Sequence, residues 1–94
     1  MRQEKRHKLQ LFYEILSAIE EDIMHNTNGV AKPTHIQHYS RLSYDKMANY
    51  LEELQKRGMV LRNSMNGTIL LTSKGSEFIG QYHKLVNLID GAAL

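Results

Sequence analysis

The chain has 94 residues, 41% of them hydrophobic and 23% charged: enough for one small globular domain, with no stretch near the ~20 apolar residues that span a bilayer. The absence of cysteine excludes disulfides and thiolate metal sites, and no secretory-type apolar run follows the basic opening MRQEKRHKLQ, so a cytoplasmic location is expected. Net charge is only +2 but uneven: residues 9–31 carry −4, whereas residues 32–74 hold seven basic against three acidic side chains, the pattern of a phosphate-facing surface or of solvated faces that happen to segregate.

From about Lys5 to Met24, the apolar residues Phe12, Ile15, Leu16, Ile19 and Ile23 recur at three- and four-residue steps, one stripe of a first helix. Glu20, Glu21 and Asp22 fall in its last turns, where the helix dipole disfavours negative charge, so this end is not the one that meets an anion. HNTNGVAK (25–32) reads as a loop with Asn28-Gly29 as its turn signal. Pro33 suits the start of a second helix, where its missing N–H is not needed, and Thr34 to Tyr39 follow with Ile36 as the apolar anchor. SRLS (40–43) breaks that helix, and Ser43 can cap the next by accepting from a free amide. Helix, short turn, helix is the spacing of a helix-turn-helix.

The third helix lies in LSYDKMANYLEELQKRGMV (42–60). At 100° per residue, Tyr44, Met47, Ala48, Tyr50, Leu51 and Leu54 share one side, while Asp45, Lys46, Asn49, Glu53 and Lys56 share the other. Gly58 supplies the left-handed stop. Two strands, MVLRN (59–63) and TILLT (68–72), flank the tip Ser64-Met65-Asn66-Gly67, and Asn-Gly between apolar runs signals a hairpin. Thr72 or Ser73 caps a last helix running to about Asp90. Its seam of Gly75, Phe78, Tyr82, Leu85 and Ile89 has heptad spacing, widened by Ile79 and Val86. The fold class expected is therefore mainly α with a small β-hairpin wing: helix-helix-helix-strand-strand-helix, a winged helix-turn-helix with an extended C-terminal helix.

Two stretches carry a family resemblance. LSYDKMANYLEELQKRGMV resembles the third helix and first wing strand of archaeal winged-helix regulators, and ILLTSKGSEFI is similar to their L-T-x-K-G-x-x-F-L entry into the last helix. The extended final helix resembles that of the small archaeal DNA-binding proteins that dimerise through an antiparallel coiled coil. The resemblance implies a DNA-binding domain over 1–74 and a dimerisation helix over 73–91 in the same compact unit. It further implies double-stranded DNA binding, in transcriptional regulation or a nucleoid role, through a recognition helix at 43–57 and a wing at 59–72.

In that fold the third helix enters the major groove with its N-terminal turns against base edges. Asn49 then suits adenine, Lys46 guanine or phosphate, Asp45 cytosine, and Ser43 a phosphate oxygen. Arg41 precedes them in the turn; Arg62 and Lys74 flank the wing, with Asn63, Ser64 and Asn66 at its tip. The plainer account of each is a solvated polar face or an ordinary turn. Arg2, Lys5 and Arg6 read as a basic arm or a solvated terminus, and Tyr44 and Tyr50 as edges of the core rather than a stacking platform. His35-x-x-His38 is a metal-ligand spacing without a third ligand beside it, so no metal or cofactor is expected. Serine, histidine and aspartate occur without a nucleophile elbow or phosphate loop, so no catalysis is expected. The dimer interface expected is Phe78, Tyr82, Leu85, Val86 and Ile89, with Phe78 and Ile79 also packing inward and Tyr82, Leu85, Val86 and Ile89 lacking a partner within the chain. The alternative is a winged helix that binds another protein through the same face.

Overall fold

The computed structural model describes residues 6–26 and 29–90. Four helices and one hairpin appear in the expected order: α1 Lys8–Met24, α2 Pro33–Ser40, α3 Tyr44–Lys56, β1 Val60–Arg62, β2 Ile69–Leu71 and α4 Ser73–Asp90. Each start has a local cause. His7 accepts from the Leu9 amide at the head of α1, Pro33 opens α2, and Ser43 accepts from the Lys46 amide at the head of α3. Of the two capping candidates for α4, Thr72 serves, its Oγ1 accepting from the Gly75 N–H at 3.1 Å. Gly58, at φ 78°, follows α3 in the left-handed conformation that ends it.

The core forms where the apolar stripes converge. Leu11, Phe12, Ile15, Leu16 and Ile19 of α1 meet Ile36 of α2, Met47, Leu51 and Leu54 of α3, Val60 of β1, Ile69 of β2 and Ile79 of α4. Each such aliphatic side chain removed from water contributes about 1.5–3 kcal/mol, which is why this stripe geometry dominates the fold. The hairpin pairs Val60 with Leu71, Leu61 with Leu70 and Arg62 with Ile69 in antiparallel register. Period two therefore sends Val60 and Ile69 inward and leaves Leu61 and Leu70 exposed on the outer face.

The segment 25–32 is not simply a loop. Ala31 exchanges both backbone hydrogen bonds with Ile69, at 2.7 and 2.9 Å, and adds a one-residue antiparallel bridge along the free edge of β2. The apolar pair Val30-Ala31 is too short to signal a strand by periodicity. Asn28 of the expected turn, and Lys5 at the expected start of the first helix, lie outside the described residues.

Asp22, expected only as a charge at the unfavourable end of α1, is the buried clasp of this connection. Its two carboxylate oxygens accept from the Lys32 N–H at 2.9 Å and from the His35 imidazole at 2.8 Å, tying the entry of α2 to α1. Burial alone would push the carboxyl up, but the Lys32 and His35 hydrogen bonds outweigh it and hold Asp22 below its ordinary value. A carboxyl lowered by folding adds stability that is complete above its unfolded value near ~4 and is lost as pH falls through the folded value. Asp22→Ala should therefore cost about 2–3 kcal/mol at neutral pH. In urea titrations the gap between variant and native should narrow near pH ~3. A gap of constant width from neutral to acid pH would show that the clasp is not electrostatic.

The last helix divides along its length. Its first half docks: Ile79 is buried, Phe78 lies edge-on to Phe12 at 6.5 Å, and Gly75 sits against the Met59 carbonyl. Tyr82 does not lack an internal partner as expected. It stacks on Tyr13 at 4.4 Å, and the adjacent His83 Nε2 is 2.7 Å from the Tyr13 hydroxyl. At 100° per residue Tyr82 lies between Gly75 and Phe78, on the side that faces α1, and Leu85 and Ile89 continue the same stripe, so the seam is covered in its first turns and uncovered in its last. Leu85, Leu88 and Ile89, in the last two turns, are exposed at 49%, 79% and 73%.

Candidate nucleic-acid interface

The turn between α2 and α3 is three residues long and sharply built. Arg41 closes α2 in the left-handed conformation (φ 55°, ψ 43°), its N–H bonded to the Gln37 carbonyl at 3.0 Å. Leu42 is buried as the anchor, and Ser43 returns to extended backbone to cap α3. A non-glycine residue in the left-handed region costs on the order of 1 kcal/mol, so an arginine here holds a conformation that glycine would adopt more readily. Its side chain is solvent-exposed beside a shallow groove lined by Thr34, Gln37 and His38.

The short polar residues that open α3 separate into two groups. Ser43 is the cap, and Asp45 lies in the first turn, where negative charge stabilises the helix dipole. Both therefore have a reason to be present within the helix itself. Lys46 and Asn49 do not. They project from the exposed face one turn apart, and among the described residues their side chains make no hydrogen bond or ion pair. The same holds for the side chains of Arg41 and Arg62.

The two glutamates of α3 are placed towards its far end and neutralised. Glu53 is held by Lys8 at 2.6 Å and by Arg57 at 2.9 Å, and these two cations keep its carboxyl below the ordinary value. Lys8 and Arg57 also lie 5.7 and 5.9 Å from the Phe12 ring centroid. Glu52 pairs with Lys56 at 3.3 Å. The repulsion that two adjacent glutamates would direct at an anion is thus largely compensated within the chain.

On the wing, Arg62 ends β1 half-buried. Asn66 is partly committed to the turn, its Oδ1 accepting from the Thr68 N–H at 3.0 Å and hydroxyl at 2.6 Å. Lys74 is not a free cation at the wing's edge: its Nζ donates to the Arg57 carbonyl at 2.7 Å, closing the C-terminal end of α3. Ser43, Asp45, Lys46 and Asn49 thus share one exposed helix start with Arg41 beside it, Arg62 and Asn66 belong to the hairpin, and Lys74 has a structural bond at the opposite end of α3.

Residues 5–90 match the family model described as winged helix-turn-helix. The chain belongs to the winged helix-turn-helix family. No curated protein matches it. Within this winged helix several sequence expectations change. Arg6 is no free arm, since its guanidinium donates to Glu14 at 2.6 Å and to the Ser40 carbonyl at 2.9 Å; Arg2 and Lys5 lie outside the described residues. Tyr50 does border the core, edge-on to Phe12 at 6.1 Å, whereas Tyr44 is 52% exposed at the first position of α3. His35 is bound to Asp22. The structural roles of Asp22 and Lys8 depend on partners distant in the sequence, and the one local sign, for Asp22, is an acidic side chain at a helix end that repels it.

Proposed function

We propose that this winged helix binds double-stranded DNA as a homodimer, in transcriptional regulation or as a nucleoid-associated protein. The observation that carries the reading is the start of α3: Lys46 and Asn49 exposed and unengaged among the described residues, with Arg41 beside them, while the glutamates of the same helix are paired at its other end. Set into a major groove, this end directs a cation and a carboxamide at base edges and phosphates. The strained Arg41 supports the same reading, because backbone strain at an exposed turn accompanies a side chain required there. Arg62 and Lys74 are assigned to the flanking backbone, Lys74 only after its bond to Arg57 opens. For the dimer, a second copy covers the exposed Leu85, Leu88 and Ile89 of α4, joined by the half-buried Phe78, Tyr82 and Val86. A helix of 18 residues spans roughly 27 Å, a suitable spacer between two recognition helices.

The test is a gel shift on selected and random duplexes across a salt series. Binding should weaken steeply with salt, as counterions displaced by the basic side chains return. Asn49→Ala should cost about 1–3 kcal/mol on the preferred sequence and relax one base position. Lys46→Ala should show the same position-specific loss if it reads guanine, or weaken all sequences alike if it meets phosphate. A folded native protein that shifts no duplex would favour the alternative, a protein-interaction module using the same face.

A further inference from the structure

The wing tip has an unusual chemistry for a surface that meets a polyanion. From Asn63 to Ser73 there is no charged side chain, and at the apex Met65 is 92% exposed, the most exposed large apolar side chain among the described residues. The loop that presents it is ordered by its own hydrogen bonds. Asn63 Oδ1 accepts from the amides of Met65 at 2.7 Å and Asn66 at 3.3 Å, and Gly67, at φ 73°, donates to the Asn63 carbonyl at 2.8 Å. Asn66 Oδ1 is occupied by Thr68. Because both carboxamide oxygens face N–H or O–H donors, their orientation is determined, and each asparagine is left with its NH₂ group as the unengaged end. The tip is therefore a hydrogen-bonded loop that carries one exposed apolar side chain, with an asparagine whose NH₂ group is unengaged on each side of it in the sequence.

These features match one part of a duplex. The floor of the minor groove at A·T pairs offers only acceptors, adenine N3 and thymine O2, whereas G·C pairs add an amino donor that would oppose the carboxamide NH₂. Apolar side chains inserted between base steps at such sites unstack and kink DNA, and an unbranched, polarisable methionine adapts well to base faces. We propose that the wing tip is a minor-groove wedge: Met65 enters a base step, Asn63 and Asn66 donate to the A·T floor on either side, and the bound duplex is bent. The proposal rests on the DNA-binding reading above. It assigns the wing a deforming role in place of simple phosphate tracking.

Ligase-catalysed ring closure of duplexes of about 150 base pairs, near the persistence length, reads bending without knowledge of a preferred site. Native protein should raise the closure rate several-fold on A·T-rich fragments and less on G·C-rich ones. At matched occupancy, verified by gel shift in the same samples, Met65→Ala should bring closure to within about twofold of naked DNA, and Met65→Leu should retain the native rate. Met65 makes no packing contact that the core requires, so the variants remain folded. A Met65→Ala protein that closes rings as fast as native at equal occupancy overturns the wedge and leaves DNA binding standing. Native protein that shifts no duplex overturns both.

Discussion

Leu85→Glu/Ile89→Glu is expected to convert the proposed dimer to a monomer without unfolding the chain. In the isolated chain both side chains are largely solvent-exposed, at 49% and 73%, so the glutamates cost the monomer fold little. Across a two-fold axis the balance is different. Burying an aliphatic side chain stabilises association by about 1.5–3 kcal/mol, and each chain offers Leu85, Leu88 and Ile89 together with the edge of Val86. The variant forfeits this and places two carboxylates from each chain against one another in a desolvated seam, where unpaired charges cost several kcal/mol. Sedimentation equilibrium at tens of micromolar should give twice the 10.9 kDa chain mass for native protein and the chain mass for the variant. Duplex affinity should fall by more than the loss of two surface contacts explains, because linked recognition helices bind with an effective concentration that a monomer lacks. A native monomer at that concentration, or a variant that stays dimeric, would remove the assigned interface.

The second large effect concerns two glycines in the same helix. A Cβ added at Gly75 would overlap the Met59 carbonyl oxygen and lie 2.7 Å from Leu71 Cδ1, so α4 could not keep its place against the wing. At Gly80 a Cβ meets nothing within 4 Å. Alanine is favoured over glycine in a helix by about 1 kcal/mol at either site. At Gly75 the overlap with backbone outweighs this, and the expected net loss is about 2–3 kcal/mol, or a fall in Tm of roughly 10–20 °C. Gly80→Ala should instead raise Tm by about 2–6 °C. Thermal unfolding of the two single variants checks both signs in one experiment, and shifts in the same direction would mean that close approach does not explain Gly75.

The elements themselves are legible in the residues because their causes are local. Five apolar residues at helical spacing mark α1, Pro33 and Ser43 mark helix starts, Gly58 marks a stop, and Asn66-Gly67 marks the hairpin tip. The exposed start of α3 follows from the same periodicity. Which polar groups remain unengaged does not, because that depends on partners far away in sequence. Lys74 reads as a wing cation until the fold brings the Arg57 carbonyl within 2.7 Å, and Arg6 reads as an arm until Glu14 and the Ser40 carbonyl claim it. Ala31 bridges to the edge of the sheet only because Ile69 arrives beside it, and Tyr82 gains Tyr13 only because α4 folds back across α1. By itself the sequence determined the order and type of the elements and the polarity of each face, since these arise from contacts a few residues apart and from burial of one stripe. The tertiary structure alone decided which charges are spent inside the chain, because a hydrogen bond or ion pair depends on distances that only the packed helices set.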